Sequence, residues 1–510
     1  MKRITFTLVV ILLSVTASAQ HTFEKLVHNG EYWMNGISAV NDSDGGFIIH
    51  VNYAKPNEYS FSGLVHIDED GQTIDTTLCL TDDGRLMVIH DLIPNPDNDN
   101  TFYAAGMSYS AAGRLTDIAV AVFDHGLNMT KCTVFEMDTV IADATDTDNL
   151  LFRAILNPDG HIVIAGHVQM CDGQYGYFFA RVSPEGTLER FVTDGRFNSQ
   201  YAYMFDIFTL REDPLEYGLT CVTPNEENNG GVPDMYVLDG DFNEVESRPI
   251  VHFQCGENIP YQTYALSGFT PVKMLALNDS TCYTFSSIYY YNYSSIIHGI
   301  GAMRFNRDFE IDRYSFTDNI SNETFSGTSV HSAFYIDDDG IVGCGEREKG
   351  SLYNDKVCLI RYDSDLNVVW QRVYRKNGYY MDPVGVIKAE DGGSLILCWG
   401  RKNSSSVYWR DLYVLKVDGD GGVTDCGEAI EAIPFLCYPN PASSTLHMDI
   451  SPDVIDQMSE ISLYDVSGRL VKTQQSGFGS IDISGLATGM YVMKVTLDDG
   501  KVFEEKIVKE

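Results

Sequence analysis

Basic residues are scarce. The 510-residue chain has 35 Lys and Arg against 72 Asp and Glu, a formal net charge of −37. Nucleic acid and anionic membrane surfaces would be repelled, so neither is an expected partner; the charge reads as solubility. Long apolar runs are also missing. Beyond the N-terminus no stretch approaches the roughly 20 apolar residues of a membrane-spanning helix. Local catalytic signatures are absent too: there is no His-Glu-x-x-His, no Gly-x-Ser-x-Gly, no phosphate loop and no Cys-x-x-Cys. With so many acids, closeness in sequence nominates no glycosidase pair. Disorder is excluded by an aromatic content of 12%.

The N-terminus offers Lys2 and Arg3, an apolar run Val9–Leu13 and then Ala17-Ser18-Ala19. This is the form of a secretory signal, and the mature chain is expected to begin at Gln20. Eleven cysteines, an odd number, then enter an oxidising compartment. Cys344, Cys358 and Cys398 sit in apolar runs and read as small buried residues. Cys426 and Cys437 flank the last junction and are the expected disulfide.

Between these ends the chain repeats. Leu151–Leu156, His161–Gly166, Tyr177–Val182 and Thr187–Val192 are short strands, joined by the turns Asn157-Pro158-Asp159-Gly160 and Ser183-Pro184-Glu185-Gly186 and by a longer loop. The second turn recurs at Asp68, Asp124, Ser183, Asp239, Asn306, Asp363 and Asp418, which counts seven units. A four-stranded unit at this period is a propeller blade or a solenoid turn. Phe23–Gly30 has the form of the fourth strand of unit six, Trp370–Gly378, whereas unit seven lacks a good fourth strand. The N-terminal strand is therefore expected to complete blade seven and close a ring.

After a linker at 427–437, Leu446, Met448 and Ile450 alternate with polar residues, as do Tyr491, Met493, Val495 and Leu497. Two such half-buried faces predict a small β-sandwich. The expected organisation is all-β: signal 1–19, a seven-bladed β-propeller over 20–426, the linker, and an Ig-like sandwich over 438–510.

Candidate ligand sites are few. Tyr289, Tyr290, Tyr291 and Tyr293, read as a loop of unit five, offer flat apolar area with polar tips, suited to a glycan or protein partner. Tyr201, Tyr203, Tyr379 and Tyr380 fall in connections between units. Ordinary packing between blades is the competing reading for all of them. Acidic turns at Asp42, Asp68, Asp337 and Asp418 could offer oxygens to calcium, but Asp and Gly serve hairpin turns in any case, and from Asp42 and Asp68 the twelfth residues are Tyr53 and Cys79, not the glutamate of an EF-type loop. No cofactor and no metal is expected. His161 and His167 lack an identifiable third ligand. Gly343, Gly345 and Gly166 suggest crowding toward a propeller axis.

Two family resemblances add to this reading. Tyr438-Pro439-Asn440-Pro441, Asp465-Val466-Ser467-Gly468-Arg469, Gly489-Met490-Tyr491 and the terminal Lys501–Val508 resemble the type A C-terminal sorting domain of the type IX secretion system. The resemblance implies delivery through the periplasm and outer membrane to the cell surface or medium, with the translocon and sorting machinery as partners. His161–Gly166 with Phe179–Leu188 resembles the Delta-60 repeat of bacterial propeller-like domains. Because propellers serve binding widely and no catalytic constellation shows itself, the expected function is a non-catalytic binding module for glycan or protein, with a hydrolase or lyase in the central funnel, or a structural surface component, as alternatives.

Overall fold

The computed structural model describes residues 21–510 apart from 28–32, 56–57, 97, 111–114, 138–149, 170–174, 195–202, 226–229, 250–261, 265–273, 279, 293–294, 307, 317–333, 348–355, 377–378, 403–410, 424–429, 434, 439, 441 and 451. Seven antiparallel sheets follow one another along the chain and form a seven-bladed β-propeller. Their innermost strands are Trp33–Asn41, Met87–Pro94, Leu150–Leu156, Tyr203–Glu212, Met274–Asn278, Phe334–Asp337 and Tyr379–Lys388. Each lies against the next, and the last against the first. Blade seven takes its outermost strand from the other end of the chain, Phe23–Val27 pairing with Leu412–Lys416.

The apolar core is divided among the seven seams between blades. Ile48 of blade one packs toward blade two, while its neighbours Phe47 and Ile49 pack toward blade seven. Middle strands are thus buried on both faces, which explains why the units read as continuous apolar runs. The same geometry corrects the expected crowding at the axis. A Cβ on Gly343 would meet Phe285 at 2.2 Å, and one on Gly345 would meet Ile300 at 2.6 Å. Both are side chains of blade five, so the glycines make room across a seam.

The turn after the third strand is the same in all seven blades. The first residue's N–H donates to the carbonyl four residues on, and the fourth residue's N–H donates back to the first, at 2.7 to 3.1 Å. The fourth residue is left-handed in every case, with φ between 58° and 75°. Glycine occupies it at Gly71, Gly186 and Gly421, but Leu127, Phe242, Phe309 and Leu366 occupy it elsewhere. A non-glycine residue there is held against a cost of about 1–2 kcal/mol. Leu127, Phe242 and Leu366 are buried in the seams, and Phe309 packs against one. Where the residue is glycine, a neighbour fills the space: a Cβ on Gly71 would meet Phe23 at 2.5 Å, and one on Gly421 would meet Arg372 at 2.6 Å and Trp370 at 3.1 Å.

Two placements differ from the sequence reading. Ile430–Ile433, within the expected linker, pairs with Val373–Lys376 as a fifth strand on blade six. The stretch covers an edge that would otherwise stand open. Phe435–Tyr438 is already the first strand of the C-terminal unit. That unit has a three-stranded and a four-stranded sheet around one core containing Leu446, Leu463, Ile481, Met493 and Ile507. It rests on blade six: Arg375 donates to Glu505 Oε2 at 2.9 Å and to the Glu504 carbonyl at 3.1 Å, and Lys356 lies 3.8 Å from Glu505 Oε1.

Candidate functional site

The C-terminal motif residues act locally. Asn440 donates to the Lys506 carbonyl at 2.7 Å and accepts from the Val508 N–H at 2.8 Å, pinning the last strand. Asp465 closes its turn by accepting from the N–H groups of Ser467 and Arg469 and from the Arg469 Nε, at 3.0, 3.1 and 3.0 Å. The Ser467 hydroxyl and these amides hold its carboxyl down at about 2. Gly468 and Gly489 have φ of 79° and 153°, conformations that favour glycine. Tyr491 is buried and its hydroxyl donates to the Ala487 carbonyl at 2.7 Å. Tyr438 pairs with His447, while Pro439 and Pro441 lie outside the described residues.

Around the axis, three successive innermost strands place Asp91, Arg153 and Asp206 just after a register shift. Arg153 donates to Asp91 Oδ1 at 2.6 Å and to Asp206 Oδ1 at 2.8 Å. The other carboxylate oxygens accept from the next blade's backbone, Ala154 N–H at 2.8 Å and Met274 N–H at 3.1 Å. Ser38 of blade one does the same with the Leu92 N–H at 3.1 Å. Ala154 and Leu92 follow the bulges of their own strands, and in both the preceding blade satisfies the N–H. With every carboxylate oxygen engaged, Asp91 and Asp206 are clamps between blades and poor proton carriers.

Ser38 Oγ lies 2.7 Å from His50 Nδ1, the contact of a nucleophile and its base. Burial, followed by the nearby His90, lowers His50 to about 3. So weak a base cannot activate a hydroxyl near neutrality. Asp42 joins blades one and two by bonding His66 Nε2 at 2.9 Å and His125 Nδ1 at 2.6 Å. Sequence reasoning missed the cluster of Asp91, Arg153 and Asp206 because its members sit in different repeats; their recurrence at like positions of the unit was the available signal.

The tyrosine stretch of unit five is not a loop. The second strand runs Thr281–Asn292, with Tyr289, Tyr290 and Tyr291 paired to His298, Ile297 and Ile296 on one side and to Tyr264, Thr263 and Gln262 on the other. Tyrosine favours extended backbone, and a strand here satisfies main-chain groups on both edges. Tyr293 and Tyr201 lie outside the described residues, and Tyr203, Tyr379 and Tyr380 begin innermost strands. His161 precedes the strand Ile162–Gln169 that holds His167.

An aromatic cleft that the sequence did not single out lies at the corresponding hairpin of blade one. Tyr53 and Phe61 face each other across the second and third strands with rings stacked 5.1 Å apart. Tyr59, 59% exposed, meets the edge of Tyr109 of blade two at 4.7 Å. The Tyr109 hydroxyl ties the loop by donating to the Ser60 carbonyl at 3.1 Å. Glu58, Tyr59, Phe61 and Leu86 line the opening.

The acidic turns direct their carboxylates inward. Asp68 Oδ1 accepts from the N–H groups of Asp70 and Gln72 at 3.1 and 2.7 Å, and Asp418 Oδ1 from Asp420 and Gly422 at 3.0 and 2.6 Å. Asp337 is bound twice by the Arg361 guanidinium. Among the described residues no group of three or more His, Cys, Asp or Glu is arranged to hold a metal ion. Cys344, Cys358 and Cys398 are buried in seams of blades five to seven. Cys437 is buried with its Sγ 3.9 Å from Met493 Sδ, and Cys426 lies outside the described residues. No described helix is long and apolar enough to cross a membrane.

No curated protein matches the chain. Among solved structures it is similar to the β-propeller domain of the trilobed protease from Pyrococcus furiosus, at 10% identity and TM-score 0.39, covering 79% of this chain and 98% of that one. A protein of unknown function from Dyadobacter fermentans matches at 11% identity and TM-score 0.41, covering 77% and 97%. A Trypanosoma rangeli sialidase matches at 8% identity and TM-score 0.37, covering 94% and 84%. Likeness at this level carries nothing about activity. Residues 436–510 match the family described as the secretion system C-terminal sorting domain. The C-terminal unit, with its pinned last strand and glycine-dependent turns, is therefore a type IX sorting domain, and the chain is a β-propeller protein exported by that route to the cell surface or medium.

Proposed function

We propose that the exported propeller is a non-catalytic binding module whose ligand is a neutral glycan or a surface protein. The observation that carries the reading is the cleft at Tyr59, where an exposed ring meets Tyr109 edge-on beside the stacked pair of Tyr53 and Phe61 and a carboxylate. A flat ring with polar groups at its margin suits a sugar, whose C–H face stacks while its hydroxyls hydrogen-bond. The strong negative charge disfavours anionic ligands. The hairpin of blade five that carries Tyr289, Tyr290 and Tyr291 joins the same pair of strands, so repetition of the unit puts it on the same face of the ring as the cleft.

A hydrolase or lyase in the funnel would need an acid pair free to exchange protons, and the engagement of Asp91 and Asp206 argues against one there. We further propose that the mature chain starts at Gln20, that the two sheets of the sorting domain pack as an Ig-like sandwich, and that Cys426 and Cys437 pair. The test is a neutral-oligosaccharide array probed with the full mature chain and with Tyr59→Ala. Binding weakened about tenfold or more by Tyr59→Ala is expected. Turnover of an array sugar that Tyr59→Ala leaves intact would replace the binding reading with an enzymatic one.

A further inference from the structure

The four-stranded sheet of the sorting domain, Leu470–Gln474, Met458–Asp465, Gly489–Leu497 and Val502–Lys509, has an inner face that forms the domain core, with Ile461, Leu463, Met493 and Val495. Tyr464 pairs with both Leu470 and Val492, and Met490 with Val508, so these residues share the outer face. That face is divided. Toward the propeller it is mostly polar: Glu460, Ser462, Lys494, Thr496 and Glu504 line a cleft together with Tyr464, the exposed Val502 and Arg375 of blade six. At its far end Val466, Leu470 and Met490 stand 76%, 50% and 48% exposed, and Val492 and Val508 are half-buried beside them.

This concentration is unusual in the molecule. Of the twelve large apolar side chains that stand exposed among the described residues, five belong to residues 436–510. Such a patch on a soluble domain marks a contact surface. The sheet's last strand is not free for strand addition, since Ala442 bridges to Lys509 beyond it and Glu505 is held by Arg375. Lys506, which pairs with Val492, gives the patch a basic edge on a strongly acidic chain, and Arg469, whose side chain is 77% exposed, adds a second cation beside it whose Nε is held by Asp465. Self-association through it would bring two chains of net charge −37 together.

We propose that Val466, Leu470 and Met490 are the surface by which the export machinery grips the sorting domain. The propeller, docked at the opposite end of the same sheet, leaves that surface presented. The partner is a protein surface with an apolar centre and an acidic rim. The proposal rests on residues 436–510 being a sorting domain, and it assigns the side chains that are read.

The experiment follows full-length protein in an exporting host, by fractionation into periplasm, surface and medium. The variants are Val466→Asp, Leu470→Asp and Met490→Asp, singly and together, with Lys506→Glu for the rim. Val502→Asp is the control, 46% exposed on the same sheet at its propeller end. The expected result is a fall of about tenfold or more in exported protein for the triple variant and smaller falls for the singles and Lys506→Glu, with folded monomer left in the periplasm. Val502→Asp is expected to export normally. Normal export of the single variants and Lys506→Glu would overturn the proposal, as would an equal block by Val502→Asp. So would a wild-type dimer that the variants dissolve without losing export, which would make the patch a surface for a second copy. A chain without residues 436–510 that still reached the surface would overturn the sorting reading itself.

Discussion

Phe242 provides a test in which alanine and glycine exchange their usual order. It occupies the left-handed position of the blade four turn, with φ of 66°, and is 2% exposed. Its ring stacks on Phe179 of blade three at 5.5 Å and on Tyr217 of blade four at 5.4 Å. Truncating a buried Phe to Ala costs about 3–5 kcal/mol. Ala keeps the left-handed backbone cost of about 1–2 kcal/mol, whereas Gly is free of it. Glycine loses more unfolded-state freedom on folding, about 0.4–1 kcal/mol. The difference leaves Phe242→Gly more stable than Phe242→Ala by about 0.5–1 kcal/mol, from the same principles. Phe208, buried in the innermost strand of the same blade, supplies the control, because in extended backbone Gly is the worse residue by about 0.5–1 kcal/mol. Urea unfolding of the four variants reads the order from their midpoints. If Phe242→Gly were equal to or less stable than Phe242→Ala, the turn would not be strained and the account of the seven turns would fail.

Two further outcomes follow from the axial cluster. Arg153→Met should lower stability by about 3–5 kcal/mol in urea unfolding, because Asp91 and Asp206 are left as buried carboxylates without the guanidinium between them. His50 is lowered to about 3 by burial, so below its unfolded value of 6.5 the unfolded chain binds a proton that the folded chain refuses. Its stabilising effect is complete above pH 6.5 and is lost as pH falls from 6.5 toward 3; at pH 5 the loss is about 2 kcal/mol. His50→Asn should therefore flatten the fall in urea midpoint between pH 7 and pH 5, and an unchanged slope would refute the assignment.

The ring and the sorting domain were legible in the sequence for different reasons. Each blade repeats one turn, so Asp68, Asp124, Ser183 and their equivalents mark the period even where the strands between them diverge. The sorting motifs are read locally, since Asp465, Gly468 and Gly489 are required by turns that close within a few residues. What was not legible depends on contacts between units. Asp91, Arg153 and Asp206 are 62 and 53 positions apart, and nothing local marks them as a cluster. Leu127, Phe242 and Leu366 look like ordinary strand residues, and only the neighbouring blade shows why they occupy a left-handed position. The tyrosines of blade five read as a loop because a run of polar-tipped rings lacks the alternation of a half-buried strand. Ile430–Ile433 read as a linker because its partner edge lies more than fifty residues earlier.

The strand Phe23–Val27 gives the molecule an order of assembly. It is the first strand of the ring to leave the ribosome, yet its partner, Leu412–Lys416, is nearly the last, so the ring cannot lock until almost the whole propeller has been made. Pairing across so long a separation is slow to form and depends on the other blades being in place. The sorting domain lies just beyond that partner strand, with Ile430–Ile433 laid on the neighbouring blade. A chain cut short before its ring can close therefore also lacks its address, and only a copy with every blade present carries the label that sends it outward.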